Sequence, residues 1–299
     1  MDISTFMEQK AVPQALQNVI NTLLETSIQV KEHMQEYNKQ KTETQNASGD
    51  TQMALDKQAD VIFFNALQKQ NIIKDFASEE RENIETVNPE AEYSIAMDPL
   101  DGSSLIDVNL AVATIIGIHK GPITTEQRNI VAAICVVFGP RTTIIFSPGK
   151  EKGTHEFIFR KNKFELVEEN IMCKEKGKIY ALGAKRNIWL GKHSKFIERI
   201  ESEGYALRSS GCCGIDVSHI LLKKGGIFAY PRTEQYPEGK LRILYELEPL
   251  TFLLNEANAK GTNGKQTLIN FPITNIHGRA PAYLGSKFEV ELANQILNE

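Results

Sequence analysis

The chain has 299 residues, 41% of them hydrophobic and 24% charged, the balance of a folded globular protein long enough for two ordinary domains. Its 34 basic and 38 acidic side chains leave a net charge of −4, so nothing marks it as a binder of nucleic acid. The opening Met1-Asp2-Ile3-Ser4 lacks the apolar core of a signal peptide, and the longest apolar run, Ile130 to Phe138, is about half a membrane span. A cytoplasmic protein with no membrane partner is expected. Four cysteines, Cys135, Cys173, Cys212 and Cys213, show no paired metal spacing, which fits reduced thiols.

Residues 12–37 carry Leu16, Val19, Ile20, Leu23, Leu24, Ile28 and Met34 at helical spacing. The polar segment Tyr37 to Gly49 has no apolar period and reads as a mobile loop. Thr51 to Gln70 returns to helix, with Met53, Val61, Phe64 and Leu67 as its main apolar positions. Ile72 to Ala77 leads into a carboxylate pair, Glu79-Glu80, and Tyr93 to Met97 reads as a buried strand that Pro99 should stop. Short β-like runs follow at Ala111–His119, Ile130–Gly139, Thr142–Phe146 and Glu156–Arg160, with turn signals at Gly121-Pro122 and Gly139-Pro140. Near residue 170 the pattern changes. Strands are predicted at Ile179–Leu182, Gly226–Tyr230 and Leu241–Tyr245, and helices at His193–Glu203, Ile215–Lys223, Glu248–Ala257 and Phe288–Leu297. This order predicts an α/β protein of the α+β kind: N-terminal helices with a mainly antiparallel sheet over residues 1–170, then a smaller α/β domain over 171–299.

The chain is organised around Met97-Asp98-Pro99-Leu100-Asp101-Gly102-Ser103-Ser104. Asp98 and Asp101 offer oxygen ligands for a hard cation, and Gly102-Ser103-Ser104 offers backbone N–H groups that can face an anion. A turn explains the same residue types in isolation. Asp50 after Gly49 reads equally as a helix cap, Asp56 as an exposed helix residue, Glu79-Glu80 as a solvated pair and Glu246 as another cap. Together these carboxylates reach the number that two or three Mg²⁺ ions require, and no His or Cys cluster competes for a softer metal. In the second half, Arg208, Tyr230, Lys240 and Arg242 form a basic-and-aromatic set. Lys240-Leu241-Arg242 alternates so that both cations face one side, an arrangement suited to a second phosphate or to an ordinary exposed strand.

The octapeptide closely resembles the signature of the lithium-sensitive, Mg²⁺-dependent sugar and inositol phosphatase superfamily. Three later blocks, Gly225–Pro231, Gly239–Glu246 and Ile276–Pro281, resemble those of class I fructose-1,6-bisphosphatases, as do Ser78-Glu79-Glu80 and Gly49-Asp50…Asp56. The resemblance spans about residues 12–290. It implies a layered αβαβα fold, a sugar-phosphate-binding C-terminal domain, and gluconeogenic hydrolysis of the 1-phosphate of fructose 1,6-bisphosphate by metal-activated water. It implies Mg²⁺ or Mn²⁺, two to three ions per subunit, on Glu79, Glu80, Asp98, the Leu100 carbonyl, Asp101 and Glu246. Asp50, Asp56 and Glu80 become catalytic, with Asp50 and Asp56 orienting the attacking water, while Asp101, Gly102, Ser103 and Ser104 hold the 1-phosphate. The remote phosphate is expected on Tyr230, Lys240, Arg242 and Arg208 of a neighbouring subunit, which makes a homotetramer, or at least a homodimer, part of the site.

Departures from the family pattern stand at Gly183, Ser209 and Leu105, with Arg186 as a replacement cation. They leave open a broader sugar bisphosphatase that also accepts sedoheptulose 1,7-bisphosphate. A catalytically silent binding protein is the reading of a different class, and it predicts lost carboxylates that this chain retains. The family's AMP-binding turn is replaced by Ala11-Val12-Pro13-Gln14-Ala15, and Glu92-Tyr93 puts a carboxylate where a phosphate-binding lysine is expected. Inhibition by AMP is therefore expected to be weak or absent, and half-inhibition in the low micromolar range would contradict this.

Overall fold

The computed structural model describes residues 1–36, 50–124 and 128–299, with side chains from residue 55 onward in the stretch that begins at 50. The segment Tyr37 to Gly49 and the Asp50 side chain lie outside the described residues. Eight strands form one sheet in the order β2-β1-β3-β4-β5-β6-β7-β8. They are β1 (Asp75–Ser78), β2 (Glu85–Thr86), β3 (Tyr93–Asp101), β4 (Val112–Lys120), β5 (Ile130–Phe138), β6 (Thr142–Ser147), β7 (His155–Arg160) and β8 (Lys163–Glu168). All neighbours are antiparallel except β1 and β3. The second sheet has the order β10-β9-β11-β15-β13, from β9 (Ile179–Leu182), β10 (Ala206–Leu207), β11 (Ile227–Tyr230), β13 (Lys260–Thr262) and β15 (Ala282–Gly285). Strands β12 (Leu241–Arg242) and β14 (Arg279–Ala280) pair as a separate ribbon.

Successive side chains of a strand point to opposite faces, so a sheet buried on both sides reads as a continuous apolar run. On β5, Ala132, Ile134 and Val136 join the core beneath helices α2 (Gln14–Gln35) and α3 (Asp50–Gln70), while Ala133 and Cys135 join the core between the sheets. That inner core is filled by α5 (Cys213–Leu222) and α6 (Glu248–Glu256). On β11, Phe228 faces the same inner core, while Ile227 and Ala229 face α4 (His193–Ser202) and α7 (Lys287–Asn298) on the outer side. The layers are therefore αβαβα.

Several elements depart from the sequence reading. The buried stripe of α3 is Leu55, Ala59, Phe63 and Leu67, four residues apart, and Val61 is 48% exposed. At 100° per residue, position 61 cannot share the face of 59 and 63. The short helix α1 (Ile3–Gln9) was not expected, although the Asp2 carboxylate caps it by accepting the Thr5 N–H at 3.0 Å. The β7–β8 hairpin was also missed. Its two turn residues, Lys161 and Asn162, both have positive φ, as a type I′ turn requires.

Pro99 does not end its strand. β3 runs on to Asp101 with a register shift between Asp98 and Asp101, and β1 has already ended beside Met97. A bulge next to a finished neighbour asks for no N–H at Pro99, and its carbonyl still accepts the Thr114 hydroxyl at 2.7 Å. The strand expected over Leu241–Tyr245 stops at Arg242, and Ile243–Leu247 form a π-helical turn. The Glu246 carboxylate accepts the Arg242 N–H at 2.6 Å and so closes this turn, a distortion common at functional positions.

Between the sheets, Arg128 and Glu248 form an ion pair at 3.1 Å with side chains only 3% and 0% exposed. Glu248 also accepts the Asn270 N–H at 2.8 Å. Glu248→Ala is expected to cost about 3–5 kcal/mol, because it removes the carboxylate that pairs with a buried guanidinium. Urea unfolding would measure this, and a loss below about 1 kcal/mol would mean that the other groups around Arg128, or water, satisfy it in the variant.

Candidate metal and phosphate centre

The parallel pairing of β1 and β3 decides where the carboxylates meet. Ser78 stands beside Met97, and the Glu79 N–H donates to the Met97 carbonyl at 3.1 Å. Both strands therefore deliver their acidic ends to the same level, Glu79-Glu80 from one and Asp98 from the other. The bulge of β3 then brings Asp101 to the same side, and the Leu100 N–H fixes the Asp98 carboxylate at 2.9 Å. Glu246 enters from the π-helical turn, and carboxylate oxygens of Asp98, Asp101 and Glu246 lie within 4.8 Å of one another.

These groups open into a cleft of about 380 Å³. On its acidic side stand Asp56, Glu79, Glu80, Asp98, Asp101 and Glu246, together with Leu100. Gly102, Ser103 and Ser104 line the next stretch, where a 3₁₀ turn begins at Ser103. Gly102 has φ 79°, and a Cβ there would stand 2.8 Å from Cβ of Cys212, so only glycine fits the turn. The Ser103 hydroxyl donates to Asp56 at 2.9 Å, which ties α3 to the turn. The Cys212 thiol at 3.2 Å and the Gly214 N–H at 2.6 Å both donate to Asp101 Oδ2.

The cluster is electrostatically uncomfortable on its own. Burial, then the charges of Glu79, Asp101 and Glu246, push Asp98 well above the carboxylate range. Burial and the neighbouring acids do the same to Glu246, and they raise Asp101 to about 6 and Asp56 to about 7. One oxygen of Asp56 is buried without a hydrogen-bond partner. Converging, desolvated carboxylates with an orphaned oxygen beside them fit a hard divalent cation, which would remove the repulsion and satisfy the free lone pairs.

A linkage follows for the metal-free protein. Asp101 and Asp56 stay protonated in the folded state up to about pH 6 and pH 7, whereas the unfolded chain releases those protons near pH 4. The folded state thus binds more protons across this window, so stability is present at low pH and is lost as pH rises through the folded values. Thermal unfolding in chelator is expected at lower temperature at pH 8 than at pH 5.5, with a gain from added Mg²⁺ that grows with pH. A metal-induced shift that is equal at both pH values would contradict this account.

The basic side of the cleft is more selective than the sequence suggested. Tyr230 and Lys240 line it, whereas Arg242 turns towards the acids. Its Nε donates to Glu79 at 2.7 Å and its guanidinium donates to His277 Nδ1 at 2.5 Å. His277 in turn donates from Nε2 to the Arg81 carbonyl at 2.8 Å. Arg186 is exposed over the Trp189 ring, and Arg208 is exposed just past the end of the edge strand β10; neither lines this cleft. The Ser209 hydroxyl accepts the Leu182 N–H at 2.7 Å and so closes the end of β9. A Cβ at Gly183 would fall 1.9 Å from the Tyr230 ring, so the bare backbone at 183 is what lets that ring lie where it does. Asp216, Cys213, Tyr236 and Arg279 also line the cleft, and the sequence reading did not select them. Arg279 lies within the Ile276–Pro281 block that was noticed, but Asp216 sits in an ordinary helical run with no local signal.

An acidic cluster beside a Gly-Ser-Ser turn, at the seam of two sheets in an αβαβα stack, is the arrangement of an enzyme of the metal-dependent phosphatase class. Its particular kind follows from comparison with known proteins. The model of the fructose-1,6-bisphosphatase N-terminal domain matches residues 4–169, and that of the C-terminal domain matches residues 173–298. The chain belongs to the fructose-1,6-bisphosphatase family. The class 1 fructose-1,6-bisphosphatase of Campylobacter hominis is 40% identical over 256 residues, 85% of this chain and 90% of that protein. That of Campylobacter concisus is 37% identical over 290 residues, 96% of this chain and 99% of the other. A crystal structure of Leishmania major fructose-1,6-bisphosphatase in holo form has a TM-score of 0.88 at 24% identity, covering 100% of this chain and 99% of that one, a likeness of fold.

Proposed function

We propose that the protein hydrolyses the 1-phosphate of fructose 1,6-bisphosphate to give fructose 6-phosphate and inorganic phosphate, with Mg²⁺ as the working metal. The observation that carries this reading is the Asp98–Asp101–Glu246 cluster, which shares one cleft with the Gly102–Ser104 turn and the Tyr230–Lys240 end. In this reading Glu79, Glu80, Asp98, Asp101, Glu246 and the Leu100 carbonyl hold the metal. A divalent ion bound there would supply Lewis acidity, lowering the pKa of water and offsetting charge on the phosphoryl oxygens. The chain's own residues do the rest. Asp56, anchored by Ser103, accepts a proton from the attacking water, and Asp50 shares that task. Gly102, Ser103 and Ser104 hold the phosphoryl group. The water oxygen joins phosphorus, the bond between phosphorus and the C1 oxygen breaks, and the sugar oxygen takes a proton from solvent while the carboxylate returns to solvent the one it accepted. Arg242 keeps Glu79 and Glu246 in place, and Lys240 and Tyr230 meet the remote phosphate.

The division into a metal-carrying domain, 1–170, and a sugar-phosphate domain, 171–299, belongs to this reading. It is supported by an eight-stranded sheet that ends at Glu168 and a five-stranded sheet that begins at Ile179. Arg208 serves the site of a neighbouring subunit in a homotetramer or homodimer. Its exposure just beyond the edge strand β10, away from its own cleft, supports that assignment. Among the described residues, no helix is long and apolar enough to cross a membrane.

The test is phosphate release from fructose 1,6-bisphosphate with and without Mg²⁺, in the wild type and in Glu80→Gln. Metal-dependent turnover that collapses in the variant is the expected result. A folded wild type that releases no phosphate with Mg²⁺ or Mn²⁺ would overturn the proposal.

A further inference from the structure

The β12–β14 ribbon places Arg242 directly opposite Arg279, with Leu241 opposite Ala280. Residues opposite each other in an antiparallel pair share a face, so Arg242 and Arg279 stand on one side of the ribbon and Leu241 and Ala280 on the other, where both are buried. Like charges in that relation destabilise a sheet unless something neutralises them. Glu79 pairs with the Arg242 guanidinium, while Glu246 accepts the Arg242 main-chain N–H. Among the described residues, no carboxylate lies within ion-pair distance of either Arg279 or Lys240. Both line the cleft, as do the phenols of Tyr230 and Tyr236. Arg279 is also held in place. It donates to the Lys240 carbonyl at 2.5 Å, and its guanidinium stands 5.9 Å from the centre of the Tyr236 ring. A guanidinium has five N–H donors, so the carbonyl leaves most of them available to an anion.

We infer that Arg279, propped over Tyr236, is a second cation for the phosphate that is not cleaved, acting beside Lys240. The inference rests on the reading that the substrate is a sugar bisphosphate, and it adds a residue that fixes substrate specificity. The acidic half of the cleft handles the reacting phosphate and repels any anion without a metal. The other half has two cations with no carboxylate of their own and two phenols that can donate, a set suited to a dianionic oxyanion. Arg279 therefore discriminates bisphosphates from monophosphates and takes no part in the bond-breaking step.

The experiment compares wild type, Arg279→Gln and Arg279→Lys, each with Mg²⁺, on fructose 1,6-bisphosphate and on fructose 1-phosphate. Fructose 6-phosphate and inorganic phosphate serve as product inhibitors. Arg279→Gln is expected to raise KM for the bisphosphate and the inhibition constant of fructose 6-phosphate by about 10- to 100-fold, as for a lost hydrogen bond to a charged group. Its kcat, its kcat/KM on fructose 1-phosphate and its inhibition by inorganic phosphate should stay within about two-fold of wild type, with Arg279→Lys between the two. A purely structural role would lower activity on both sugars together and leave fructose 6-phosphate inhibition unchanged, which overturns the inference, as does a KM within two-fold of wild type. Absence of wild-type turnover on the bisphosphate would instead reject the functional reading, and the inference with it.

Discussion

Asp98→Asn is expected to lower phosphate release by about a thousandfold or more, the kinetic equivalent of the several kcal/mol that a correctly held metal supplies to a phosphoryl transition state. Asp98 is 8% exposed, and its carboxylate lies with those of Asp101 and Glu246 within 4.8 Å. An amide keeps the shape but removes a charge that metal binding needs. The same substitution should make the metal-free protein more stable, because burial and three neighbouring acids already hold Asp98 far above its ordinary pKa. Activity and chelator stability are thus predicted to move in opposite directions. The gain in stability should be largest at high pH, where the wild-type cluster must ionise. Phosphate release, Mg²⁺ titration and thermal unfolding in chelator check the three parts. If the variant unfolds earlier than wild type in chelator at pH 8, the cluster is a structural network and not a strained metal cage.

Asp56→Asn is expected to lower kcat by about 10²–10⁴-fold, the usual contribution of a positioned general base, with little change in the Mg²⁺ concentration needed for half activity. Asp56 keeps one oxygen on the Ser103 hydroxyl, while the other is buried without a partner and available to a water. Its raised pKa, about 7 without metal, is caused first by burial and then by Glu80 and Glu79. The base works only when ionised, so kcat/KM should rise with pH through its titration. A bound cation favours the carboxylate and brings that limb below pH 7. The limb should be present in wild type and absent from the residual activity of Asp56→Asn. Ser103→Ala, which removes the anchor and keeps the base, should lose far less. An unchanged pH limb in Asp56→Asn would move the base role to another group.

Much of the site was legible because its chemistry is local in sequence. Asp98, Asp101 and the Gly102-Ser103-Ser104 turn lie within seven residues, so both carboxylates and the turn beside them stand out in one short stretch, although the bulge that carries β3 past Pro99 does not. The apolar runs of β4, β5 and β6 were equally plain, since strands buried on both faces leave little room for polar residues. Short elements were harder to see. β13, β14 and β15 have two to four residues each, too few for any periodicity to show.

Residue types and spacing alone determined that this chain has carboxylates in excess of any softer metal ligands, a Gly-Ser-Ser turn beside two of them and an apolar pattern long enough for two domains. Which carboxylates meet was decided only by tertiary structure. The parallel register of β1 with β3 sets Glu79 and Glu80 beside Asp98, and a π-helical turn 145 residues beyond Asp101 delivers Glu246. The roles of the arginines were decided there too. Lys240 and Arg242 look equivalent along the chain, yet Glu79 claims the Arg242 guanidinium, while Arg279 arrives from the facing strand to stand with Lys240. Alternation along a strand tells which residues share a face. Only the fold brings in, from distant parts of the chain, the opposite charges that settle which of them remain available to a ligand.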